Sequence, residues 1–296
     1  MNKIKEKIAK NIFNVDIDVK KNYKTYRKIQ NFFSFFKYKN NYNDRVIKLI
    51  DRDIKIRIFN ENNINNGLII YIHGGGWVLG SVETYTKICN EISELSNKTV
   101  VSIDYRLAPE YPYPCGFNDC YDVIKLICNN FDSNNICLMG DSAGANLIAG
   151  ISLKSNKTKE FKVKKQILVY PALQSDYSNN TRYKSVITKG KNYLLTQKHL
   201  QDYLSLYIKN KEDLKDCYAF PLNKKLFFSQ PKTLVITAEN DPLCDEGKKY
   251  YKRLKLCLNK VKYYNIKGAM HGFLTQKTQK KYKNEVLKKI IEFLGD

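Results

Sequence analysis

Two stretches alternate apolar and polar residues, "RVIKLI" (45–50) and "IKIRIF" (54–59), the period of a half-buried antiparallel strand pair. Further along, "GLIIYI" (67–72) and "KTVVSI" (98–103) are continuous apolar runs, as strands buried on both faces require. "NICLMG" (135–140), "QILVYP" (166–171) and "KTLVITA" (232–238) continue the series, and "KVKYYNI" (260–266) reads as the last strand. Helical patterns intervene at Tyr85–Leu95, Phe117–Asn129, Ala145–Leu153 and Glu246–Leu258. Strands alternating with helices predict an α/β fold with a mostly parallel sheet covered on both faces.

Two regions break this rhythm. Residues 1–45 read as helical and amphipathic, with Ile4, Ile8 and Ile12 on one face. They end in "IQNFFSFFKY" (29–38), whose Phe32, Phe33, Phe35 and Phe36 are too apolar for a free loop and suit either a lid over a pocket or glue beneath one. Between about 175 and 230 there is no strong strand, too long a gap for an ordinary connection. "LTQKHLQDYLSLYIKN" within it reads as a helix; Thr196 and His199 lack the acidic partner of a capping box, which leaves its start unfixed. These readings divide the chain into an N-terminal helical segment (1–45) and a main domain (46–296) carrying an insertion at about 175–230, the two irregular regions together capping one end of the sheet.

Composition narrows the class. The 296 residues are 43% hydrophobic, enough for a large buried core. The formal net charge is +22, but the lysines are scattered among asparagines with no arginine-rich tract or zinc spacing. A solvated basic surface is expected, with no specific nucleic-acid partner. The eight cysteines form no CxxC and no metal-spaced cluster with histidine, so no metal is expected. The basic N-terminus lacks the apolar run of about 7–15 residues of a signal peptide, and no run of about 18 apolar residues spans a bilayer. A cytoplasmic protein with reduced thiols is the expectation.

In such sheets ligands bind beyond the carboxyl ends of the strands, and the chemically informative residues fall there. Gly140-Asp141-Ser142-Ala143-Gly144 follows one strand and opens a helix, the setting of a nucleophile elbow. The glycines permit the tight turn, and the helix N-terminus favours developing negative charge. His73-Gly74-Gly75-Gly76-Trp77 follows "LIIYI"; a glycine run frees N–H groups to hold an oxyanion, and the Ala143 N–H adds another donor. Of the three histidines, His73 reads as a loop brace and His199 lies inside the insertion helix. His271, between Gly268 and Gly272 after the last strand, is the candidate base. The acid should lie between serine and histidine in chain order. "AENDPLCDEG" supplies Asp241 on the first turn past its strand, with Glu239, Asp245 and Glu246 as rivals; the last two suit a helix first turn.

Taken together, HGGGW, "DYRLAPEYPYP" (104–114), GDSAG, "YPAL", "AENDPLCDEG" and "MHGF", in this order, resemble the α/β-hydrolase fold and, within it, the hormone-sensitive-lipase-like carboxylesterases. The likeness covers roughly residues 65–275, and "DYRLAPE" discriminates this group from hydrolases sharing only the elbow. It implies a serine esterase for short acyl chains, acting without cofactor on a small-molecule ester. Ser142 is then nucleophile, His271 base and Asp241 acid, with Gly74, Gly75, Gly76 and Ala143 at the oxyanion. His73, Gly140, Asp141 and Gly144 support the site, and Trp77, Phe32 and Phe36 are candidate pocket residues. A homodimer is an admissible assembly. A metabolite-specific amidase or deacetylase, or a non-catalytic binding scaffold, are the alternatives. Ala145 stands where many relatives carry a second glycine, and Cys244 where they often carry arginine.

Overall fold

The computed structural model describes residues 18–35, 42–132, 135–191 and 194–295. Eight strands among them form one sheet in the order β1-β2-β4-β3-β5-β6-β7-β8. β1 (Tyr42–Lys48) and β2 (Asp53–Phe59) pair antiparallel, and β2 pairs antiparallel with β4 (Thr99–Asp104). From β4 onward the strands run parallel: β3 (Leu68–Ile72), β5 (Ile136–Asp141), β6 (Lys165–Val169), β7 (Lys232–Asn240) and β8 (Val261–Met270). The α/β fold with a mostly parallel sheet is thus present. β3 and β5, both buried at every position, lie where the strand order reverses, the place such sheets bind ligands.

Helices cover both faces. On one side α3 (Cys115–Asn130), α4 (Ala143–Thr158) and α7 (Cys244–Leu256) pack on the sheet through Phe117, Ile124, Leu147, Ile151 and Leu254. On the other, α2 (Val82–Ser96) and α8 (Lys280–Gly295) pack through Ile88, Ile92, Val286, Ile290 and Phe293. The pattern reading omits α8, although its buried Lys283, Val286, Leu287, Ile290 and Leu294 repeat at helical intervals. Lysines among the apolar positions dilute the signal.

The N-terminal helix α1 spans Val19–Phe35, and β1 begins at Tyr42, so the helical reading to residue 45 runs too far. Ile4, Ile8 and Ile12 lie outside the described residues. Arg27 fixes α1 to the body: its guanidinium donates to Val78 O (2.7 Å) and Ala108 O (2.6 Å) and pairs with Glu110 at 3.0 Å. The described residues of the insertion include two α-helices, α5 (Lys184–Thr188) and α6 (Gln197–Tyr207). α6 does start in a capping box: Thr196 Oγ1 accepts from His199 N–H, and His199 Nδ1 accepts from Thr196 N–H at 3.4 Å. A histidine nitrogen here does the work usually given to glutamate.

Candidate active site

The elbow is built by a backbone that few residues tolerate. Ser142 joins β5 to α4 at φ 53°, ψ −119°, a left-handed conformation costing about 1–3 kcal/mol. Hydrogen bonds hold it there: Ser142 N–H donates to Val169 O (2.9 Å), and Ser142 O accepts from Asn146 N–H (3.0 Å). Gly144 allows α4 to press on the end of β3, since a β-carbon there would overlap the carbonyl oxygen of Ile72. The turn lifts Ser142 Oγ toward the loop after β8.

That loop carries His271. Its Nε2 lies 3.0 Å from Ser142 Oγ, and its Nδ1 lies 2.7 Å from Asp241 Oδ2. Asp241 is fully buried, and its Oδ1 accepts from Leu243 N–H at 2.9 Å. Because the carboxylate only accepts, Nδ1 carries the proton and Nε2 faces the serine hydroxyl. Buried Gln279, ahead of α8, clamps the His271 backbone on both sides: its Oε1 accepts from Met270 N–H and its Nε2 donates to His271 O.

The rival acids hold other partners. Glu239 Oε2 accepts from Gly268 N–H (2.8 Å), fixing the irregular end of β8. Asp245 Oδ2 accepts from Ser185 N–H (2.8 Å), and Ser185 Oγ donates to Pro242 O (2.7 Å), fastening α5 to the Asp241 turn. Glu246 is buried, and its Oε2 accepts from Leu173 and Gln174 N–H at 2.6 and 2.9 Å. Burial pushes its carboxyl well above the usual range. It holds the chain leading from β6 into the insertion, a duty beyond that of a first-turn helix acid.

The glycine loop after β3 is braced from beneath. His73 is fully buried, stacks on Tyr105 at 4.4 Å, and its Nδ1 lies 2.8 Å from Gly74 O. A carbonyl only accepts, so Nδ1 is the protonated nitrogen; burial lowers the imidazole to about 4 and keeps it neutral. Tyr105, from "DYRLAPE", donates to His73 O at 3.0 Å, and the adjoining Arg106 pairs with buried Asp119 at 2.8 Å. Gly74 N–H donates to Asp141 Oδ1 (3.0 Å), which removes it from the expected set of oxyanion donors. No described residue accepts the N–H of Gly75, Gly76 or Ala143.

Asp141 sits in a ring of phenols that the motifs do not announce. Tyr71 donates to its Oδ1 (2.9 Å), and Tyr85 and Tyr170 to its Oδ2 (3.0 and 3.3 Å). Burial raises its carboxyl, opposed by the phenols and Gly74 N–H. One polar residue inside "LIIYI" was the available sign of this network.

The expected pocket residues fare differently. Trp77 is buried between body and insertion: it stacks on Tyr207 of α6 at 4.4 Å, and its Nε1 donates to Asn146 Oδ1 at 3.1 Å. These contacts fix the indole against the insertion. Phe32 is 61% exposed on α1, and Phe36 lies outside the described residues. Tyr203 of α6, which no motif indicated, roofs the glycine loop; a β-carbon on Gly76 would come within 2.5 Å of its ring. Cys244 is buried, with Asn265 Nδ2 donating to its sulfur at 3.4 Å, and burial pushes its thiol up. Among the described residues no group of His, Cys, Asp and Glu is arranged to hold a metal ion.

This geometry places a serine, an imidazole and a carboxylate in line beside open N–H groups. A family model described as the alpha/beta hydrolase fold matches residues 69–275. The chain belongs to that family. An arylesterase of Saccharolobus solfataricus is 36% identical over 238 residues, covering 78% of this chain and 76% of that protein. The carboxylesterase NlhH of Mycobacterium tuberculosis is 29% identical over 234 residues, covering 75% and 72%. The solved structure of a hyperthermophilic esterase from Pyrobaculum calidifontis is 30% identical with a TM-score of 0.85, covering 99% of this chain and 97% of that one.

Proposed function

We propose that this protein is a serine carboxylesterase acting on short acyl esters through Ser142, His271 and Asp241. The observation that carries the reading is the relay itself: Oγ to Nε2 at 3.0 Å and Nδ1 to Oδ2 at 2.7 Å, on a strained elbow where the strand order reverses. The named esterases among its relatives support the reaction class.

His271 takes the Ser142 proton as Oγ attacks the ester carbonyl. The tetrahedral oxygen rests on N–H groups of Gly75, Gly76 and Ala143, each worth about 3 kcal/mol at the transition state. Asp241 holds the His271 tautomer and stabilises the imidazolium. The imidazolium returns its proton to the departing alcohol. Water, deprotonated by the same histidine, then attacks the acyl-serine and releases the acid. No cofactor enters these steps. His73 anchors the Gly74 carbonyl, and in a trans peptide this turns the Gly75 N–H the opposite way, as an oxyanion donor requires.

Helix α1 and the insertion at about 175–230 form the cap in this reading. The Tyr203 ring packed over Gly76 puts bulk beside the glycine loop, which supports a short-chain preference. The eight free thiols suit a reducing, cytoplasmic setting. The test is hydrolysis of p-nitrophenyl esters from acetate to dodecanoate by wild type and Ser142→Ala. A short-chain optimum that disappears in the variant is expected. Activity that survives the substitution would end this assignment.

A further inference from the structure

The end of the molecule opposite the site carries large apolar side chains that folding does not explain. Leu226 and Phe228, on the chain entering β7, are 55% and 59% exposed; Leu256, the last residue of α7, and Leu258, between α7 and β8, are 81% and 94% exposed. The two segments are tied together. Phe227 N–H donates to Cys257 Sγ (3.2 Å), Asn259 Nδ2 to Phe227 O (2.5 Å), and Arg253 to Leu222 O (2.7 Å) and Lys224 O (2.6 Å). The two segments that carry the four exposed side chains thus lie side by side.

Leu258 is the telling member. It follows the C-terminus of α7 at φ 59°, where glycine or asparagine is the usual occupant. A leucine there carries backbone strain and leaves its side chain in water. The strained backbone closes the helix cap, with Leu258 N–H donating to Lys255 O (3.0 Å) and Asn259 N–H to Leu254 O (3.1 Å), but the side chain itself stays 94% exposed.

Exposed Lys224, Lys225, Lys252, Lys255 and Lys260 stand on the same two segments. The sequence has no aspartate or glutamate from 217 to 238, nor from 247 to 284. The two segments therefore carry apolar knobs among lysines and no carboxylate of their own. A protruding helix end of this make-up matches an anionic lipid surface, where leucine and phenylalanine enter the interface and lysines meet the headgroups. It is not the concave apolar groove that a partner helix would fill.

We propose that this face docks the protein onto anionic membranes. It stands apart from the esterase assignment. The segments precede β7 and β8, whereas Asp241 and His271 follow those strands, so docking leaves the site facing water.

Flotation with vesicles tests it, using phosphatidylcholine alone and phosphatidylcholine with phosphatidylglycerol, at about 0.15 M salt. Wild type should float with the mixed vesicles only. Lys224→Glu with Lys255→Glu should weaken partitioning by more than about 30-fold, since removal of each lysine from an anionic surface is worth about fivefold and the reversal adds repulsion. Leu256→Ser with Leu258→Asn should weaken it more than about tenfold while easing the strained position. Circular dichroism and p-nitrophenyl acetate hydrolysis, which should match wild type in both variants, report that they are folded. Wild type that stays down with the mixed vesicles would overturn the proposal. So would a leucine variant that floats as wild type does, since the +22 charge alone would then explain binding. Retention on heparin that falls in the leucine variant, without vesicle binding, would reassign the face to a soluble polyanion.

Discussion

Acid should loosen this protein through His73. The imidazole is fully buried, and burial depresses it from 6.5 to about 4, outweighing the Gly74 carbonyl that raises it. The unfolded chain therefore binds this proton first as pH falls. Its contribution to stability is whole above pH 6.5 and is lost progressively between 6.5 and about 4. Between about pH 7.5 and pH 5 the linkage amounts to about 2 kcal/mol. The substitution that isolates it is His73→Asn, whose side-chain amide can still donate to Gly74 O but does not titrate. The variant forfeits the stack on Tyr105, so it starts less stable at every pH; the informative quantity is the slope. Urea denaturation of both proteins at the two pH values gives it. Wild type should lose about 2 kcal/mol more than His73→Asn over that interval. Equal losses would mean that His73 is not buried in neutral form, and the account of how the glycine loop is braced would fall with it.

Gly76→Ala places a methyl against the Tyr203 ring at a φ of 62°, so the loop must move; kcat for p-nitrophenyl acetate should fall about 100-fold, with the thermal midpoint far less affected. An unchanged kcat would remove this loop from the reaction. Asp104 is raised to about 6, first by burial and then by Glu83, so its contribution to stability is full below pH 3.8 and lost as pH rises through about 6. Asp104→Asn, which can still accept from Val82 N–H, should stabilise the protein by about 1–2 kcal/mol at neutral pH and by nothing near pH 4. A gain that is the same at both pH values would point to packing rather than charge.

What the sequence disclosed, and what it hid, follows the physics of each element. The parallel strands were legible because burial on both faces leaves no room for polar residues, as in "LIIYI" and "NICLM". The serine, the histidine and the glycine loop stood out because a serine between glycines at a strand–helix turn and a three-glycine run are unusual residues at fixed spacing, and the structure brings Ser142 and His271 to 3.0 Å. The supporting contacts were hidden. Tyr71, Tyr85 and Tyr170 converge on Asp141 from three elements far apart in the chain, and a tyrosine in an apolar run reads as core. Glu246 looks like any helix first-turn acid until the chain after β6 is seen bonded to it. Tyr203 roofs the glycine loop only because the insertion folds back, which no local pattern encodes. The Trp77 stack on Tyr207 was hidden for the same reason, since its partner comes from the insertion.

The account turns on Ser142 being a nucleophile activated by His271. The most direct test is intact-mass and peptide mass spectrometry after brief exposure to a fluorophosphonate. One adduct on wild type, located at Ser142 and formed much more slowly in His271→Ala, is the predicted result. An adduct on another residue, or labelling of Ser142 that does not depend on His271, would contradict it.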